Sequence, residues 1–169
     1  MYSVDDQDRV IELSDVPPPD IGAPMPIVLS DERVTLLGYA SQGGRLLDVT
    51  DPTSFVEELA LVEFEFRKSY MFGYPNDEAF SGHPLASRGL GPYGVFEIQH
   101  SSWIRQLEKM NEVHPLHRGG YLQRLKHYVF AFHDSTFECV ARSFEVAMLR
   151  GSFQSLLLEM NKRLNGGAT

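Results

Sequence analysis

Apolar and polar positions alternate along much of this chain, and a period of two predicts strands. Within residues 55–73, Leu59 and Leu61 alternate with Ala60 and Val62. Phe64 and Phe66 then alternate with Glu63 and Glu65. Residues 69–72 continue that strand after a bend. Residues 26–29 and 33–40 read as a strand pair around the polar turn Ser30, Asp31 and Glu32, and 41–45 as a loop. A short strand is expected at 95–99. The strongest β pattern in the chain covers 125–149.

Two stretches switch to the helical period. Trp103, Leu107 and Met110 stand at i, i+4 and i+7, with Ile104 widening the stripe, so a helix is expected over 102–112. Ser101 or Ser102 caps it, and Pro115 stops it. Residues 152–165 repeat the pattern through Phe153, Leu157, Met160 and Leu164, capped by Ser152 and ended by Gly166 and Gly167. The pattern as a whole predicts an α+β fold, an antiparallel β-sheet of about 5–7 strands packed against two main α-helices.

Two segments lack either period. Residues 1–24 read as an extended N-terminal arm, because Pro17, Pro18 and Pro19 favour polyproline II. The arm is expected to be dispensable for folding, leaving 25–169 as a single domain. Residues 74–94 hold Pro75, Gly82, Pro84, Gly89, Gly91, Pro92 and Gly94. A loop longer than ~12–15 residues is usually functional or disordered.

The 125–149 pattern resolves into a hairpin with two faces. Tyr128, Phe130, Phe132, Phe137, Cys139 and Ala141 form a core face. His127, Val129, Ala131, His133, Glu138, Val140 and Arg142 form the other, which reads as a wet face or a cleft lining. A two-residue loop at Ser135 and Thr136 sets His133 opposite Glu138. Ser-Thr is not the Asn-Gly or Asp-Gly pair such loops favour, so the register rests on the loop length.

Composition narrows the function. The formal net charge is −8, from 15 Lys plus Arg against 23 Asp plus Glu. That disfavours sequence-independent nucleic-acid binding and docking on anionic lipid. No apolar run approaches the ~20 residues of a membrane helix. Residues 1–8 are polar and acidic, unlike a signal or transit peptide, which points to the cytoplasm. Cys139 is the only cysteine, so neither an internal disulfide nor a cysteine-rich zinc site is expected. Nothing in the sequence calls for a cofactor, and self-association is compatible with it.

Three groups carry candidate chemistry. His133, Asp134 and Glu138 suit acid–base catalysis, with His133 as base and Glu138 as its orienter; the plainer alternative is a turn cap and a cross-strand pair. Asn111, His114 and His117 suit ligand contacts. Their His-x2-His spacing also occurs at metals, but Pro115 breaks the helix between them, and no metal site is expected. Asn76, Asp77, Glu78 and His83 suit a binding loop, or else a helix start capped by Asn76. His127 and His133 stand ~20 Å apart along a strand, so at most one belongs to any site. Cys139, on the aromatic face, reads as buried packing. The pattern Gly89-x-Gly91-x-x-Gly94 precedes a strand rather than a helix, which rejects it as a dinucleotide site.

Five of six histidines lie between His100 and His133. This clustering favours a small-molecule-binding domain with the equipment of an acid–base enzyme centred on His and carboxylate. The alternative is an acidic protein-interaction module, immunity-like or regulatory, without catalysis.

Overall fold

The computed structural model describes residues 2–22, 25–47 and 55–166. Its elements run β1 (Arg9–Glu12), β2 (Ile27–Ser30), β3 (Thr35–Leu47), β4 (Phe55–Glu65), β5 (Ser69–Gly73), β6 (Val95–Gln99), α1 (Ser102–Asn111), β7 (Lys126–Ala131), β8 (Thr136–Ala141), β9 (Ser143–Gly151) and α2 (Phe153–Gly166). The fold is α+β. A five-stranded sheet has the order β1-β6-β7-β8-β5, and a four-stranded sheet has the order β2-β3-β4-β9. Every pairing is antiparallel.

Three apolar clusters set the layers. Between the sheets, Leu37, Tyr39, Val62 and Phe64 meet Tyr128, Phe130, Phe137 and Cys139. On the outer side of the five-stranded sheet, Val129, Ala131 and Val140 pack with Trp103 and Ile104 of α1 and with Phe80, Leu85 and Leu90 of the long loop. On the outer side of the four-stranded sheet, Leu36, Leu59 and Leu61 meet Leu156 and Met160 of α2. Gly38 lets α2 come this close, because a Cβ there would stand 2.8 Å from Met160 Sδ and 2.9 Å from Leu156 Cδ2. The expected stripe holds at Phe153, Met160 and Leu164, but the leucine buried between them is Leu156, and Leu157 is exposed.

The long β runs change sheets where the chain bends. Phe66, with φ 49°, separates β4 from β5. Arg142 separates β8 from β9, and its amide donates to Glu65 O at 2.9 Å. Residues 41–45 are a bulge within β3 rather than a loop, marked by a register shift between Ala40 and Arg45.

The N-terminal arm is extended and docked. Its strand β1 pairs with β6, Tyr2 and Val16 are buried, and Tyr39 Oη donates to Pro17 O at 2.7 Å. The arm thus contributes to two of the apolar clusters. Residues 23–24, at its end, and Gly167 lie outside the described residues.

The hairpin keeps its expected faces but not its expected register. Ala131 pairs with Thr136 and Val129 with Glu138, so the loop is residues 132–135, closed by Phe132 N donating to Ser135 O at 2.9 Å. The turn sits two residues earlier than expected, which slides each partner by four positions, and an even shift preserves face parity. His133 falls in the turn, and Glu138 is buried. The supposed wet face is covered by α1, the long loop and the arm.

Candidate functional site

The observed register makes His127 and Glu138 diagonal neighbours on one face, since His127 pairs with Val140 and Val129 with Glu138. Diagonal side chains on adjacent strands are within reach of each other when long. His127 Nε2 lies 2.9 Å from Glu138 Oε2. The long loop brings His83, whose Nε2 is 3.3 Å from Glu138 Oε1. The arm brings Tyr2, whose hydroxyl donates to Glu138 Oε2 at 2.6 Å. Both imidazoles are fully enclosed, and the Glu138 side chain is 5% exposed.

The surrounding bonds fix where the protons sit. The Leu85 amide donates to His83 Nδ1 at 3.1 Å, so the His83 proton is on Nε2 and points at Glu138. Ser101 Oγ accepts from the Ile104 amide as the cap of α1 and lies 2.9 Å from His127 Nδ1. The Glu138 carboxylate can only accept, so His127 donates to it through Nε2. Burial opposes ionisation of Glu138, but the donors His127, His83 and Tyr2 outweigh it and hold the pKa at about 2. The result is one buried negative charge held by three donors. Both Nε2 atoms carry protons and offer no lone pair to an ion. Among the described residues no group of three or more His, Cys, Asp or Glu side chains is placed to hold a metal.

A second cluster lies at the surface. Tyr93 Oη donates to Asp77 Oδ2 over a short contact, and His133 Nδ1 lies 2.9 Å from the same oxygen. Tyr93 adopts the left-handed backbone, φ 60°. The Tyr93 hydroxyl is the main cause holding the Asp77 carboxyl below its usual range. His133 is half-exposed, and its Nε2 is 3.9 Å from Asp134 Oδ1. The carboxylate paired with His133 is thus Asp77 and not Glu138. Asn76 Oδ1 accepts from the Ala79 amide at 3.2 Å, the capping role of the plainer reading, while Glu78 is exposed.

A third cluster closes the end of α1. Asn111 Nδ2 donates to His117 Nδ1 at 3.2 Å, and His117 Nε2 lies 3.5 Å from Glu108. His114 is exposed and accepts from the Leu116 amide.

The six expected binding residues and three expected catalytic residues are therefore divided among three places. Sequence patterning did not single out Tyr2, Ser101 or Tyr93 as partners, because each is brought in by a segment distant along the chain. Cys139 lies in the inter-sheet core, where burial pushes its thiol up to about 12.

One groove reaches Ser101. It has a volume of about 580 Å³ and runs beside β6 and the start of α1, lined among others by Ile98, Gln99, Ser101, Ile104, Gln123 and Leu125. Its charged residues Lys126 and Arg105 are paired with Glu97 and Asp5. Ser101 connects its wall, through His127, to Glu138. Compared with known proteins, the chain matches no family model, no curated protein and no solved structure.

Proposed function

We propose that the chain is a small-molecule-binding domain whose ligand occupies the groove between β6 and α1. The observation that carries this reading is the place of Ser101, which lines the groove and ends the relay to His127 and Glu138. The groove's volume falls within the usual range of ligand sites, and its apolar residues stand among a few polar groups. The order Ser101, His127, Glu138 supplies acid–base capacity. His127 can take the Ser101 proton while Glu138 stabilises the imidazolium.

The charges in the groove already have partners, whereas Gln7, Gln99 and Gln123 line it with neutral amides. An uncharged, hydrogen-bonding ligand fits this lining without breaking an ion pair. The acidic interaction-module alternative draws on the net charge of −8 and would show salt-sensitive association with a basic protein.

The test is amide and imidazole NMR during titration with uncharged polyols, nucleosides and small amides. Shifts are expected at Gln99, Ser101, Gln123 and the His127 ring. Gln99→Leu with Gln123→Leu should weaken binding by about tenfold, the equivalent of one or two neutral hydrogen bonds, with the melting midpoint unchanged. Shifts that map to another surface would overturn the assignment.

A further inference from the structure

Neither sheet closes, so each ends in two strand edges. Edge strands offer unpaired N–H and C=O groups, and proteins usually blunt them with charge, proline or a bulge. Strand β1 carries Arg9 and Glu12, and β9 carries Glu145 and Arg150. Strand β2 packs Ile27 and Leu29 against the α2 layer and Val28 against the inter-sheet core. Strand β5 differs. It reads Ser-Tyr-Met-Phe-Gly, without a charge. Tyr70 and Phe72 are more than a third exposed, and Tyr74, just beyond the strand, is 75% exposed.

We propose that β5 pairs antiparallel with β5 of a second copy of this chain about a two-fold axis at Met71, joining the two five-stranded sheets. The sequence of the edge is self-complementary in that arrangement. Lys68, Tyr70, Phe72 and Tyr74 fall on one face by alternation. Tyr70 lies opposite Phe72 of the partner subunit, an aromatic cross-strand pair at each side of the axis. Lys68 lies opposite Tyr74 of the partner subunit, a cation beside an aromatic ring. The two lysines are kept ~20 Å apart by the strand between them. The net charge of each copy, −8, opposes association at long range, so added salt strengthens it.

The experiment is sedimentation velocity of the full chain from about 1 to 500 µM, at low and moderate salt; a single strand pair lies at the small end of interface sizes and predicts micromolar dimerisation. Tyr74→Lys sets a lysine opposite Lys68 at both ends of the strand pair and should raise the dissociation constant at least tenfold. The exposure of Tyr74 leaves the fold untouched, which circular dichroism checks. Combining Lys68→Glu with Tyr74→Lys restores attraction and should restore the dimer. A monomer at every concentration overturns the proposal, including the case in which β5 accepts a strand from another protein. A dimer indifferent to Tyr74→Lys, or a double variant that fails to recover, places the contact elsewhere and overturns it equally.

Discussion

Two clusters in this protein combine tyrosine, carboxylate and histidine at similar distances, and they differ in water. Around Glu138, the donors Tyr2, His83 and His127 are buried with the carboxylate. Around Asp77, the donors Tyr93 and His133 hold a carboxylate near the surface, with the His133 side chain 45% exposed. In the first, each bond lost leaves a polar group that water cannot reach. In the second, water replaces whatever is lost, and salt screens the rest. The same side chains therefore determine stability in one place and leave reactivity free in the other. The buried cluster ties together segments from the arm, the long loop, β7 and β8. The exposed cluster ties the long loop to the hairpin turn and leaves the His133 ring half-exposed.

The largest break in this comparison is Glu138→Ala. It strands three buried donors and should cost about 3–5 kcal/mol, as removal of one partner of a buried charged network does. Chemical denaturation measures it; a loss below about 1 kcal/mol would mean that water reaches the cluster after all. Acid gives a second reading of the same group. The folded Glu138 titrates at about 2 against an ordinary 4.5. Its ionisation therefore contributes stability that is complete above the ordinary value and is lost as pH falls towards about 2. Glu138→Gln should flatten that part of the stability curve.

Next in size is Tyr2→Phe, which keeps the ring stacked on Trp103 at 5.5 Å between centroids and removes only the hydroxyl bond to Glu138. A hydrogen bond to a charged group contributes ~1.5–3 kcal/mol. The loss should appear in denaturant midpoints without a change in slope, because the exposed surface on unfolding is the same. If Tyr2→Phe leaves stability untouched, the arm is not held by Glu138.

The faces of the hairpin were legible in the sequence, because alternation survives a register shift of four positions. Tyr128, Phe130 and Phe137 lie in the inter-sheet core as patterning predicts. The partners of Glu138 were not legible, because they depend on which segments cover the outer face. Periodicity says nothing about the irregular segment carrying His83 or about an arm rich in proline. The Ser101 cap was legible, since a serine before an apolar helical stripe has a local cause. Its bond to His127 was not, since that depends on β7 passing beneath α1. The expectation that His127 and His133 belong to different sites follows from strand rise alone, and they do lie in separate clusters.

The smallest expected effect on stability is at His133. His133→Ala removes a half-exposed ring from a pair that solvent already weakens. The melting midpoint should move by no more than about 3 °C, roughly the shift of a 1 kcal/mol change in a chain of this size. Its exposure also distinguishes it chemically from the buried rings. A histidine-acylating reagent at neutral pH should modify His133 and the exposed His114, while His83 and His127 react only through opening of the fold, as read by peptide mass spectrometry. Glu138→Ala should speed modification of His83 and His127 and leave His133 unchanged. Equal rates at all four rings in the native protein would mean that the long loop and the arm do not close over Glu138, and the contrast between the two clusters would vanish with them.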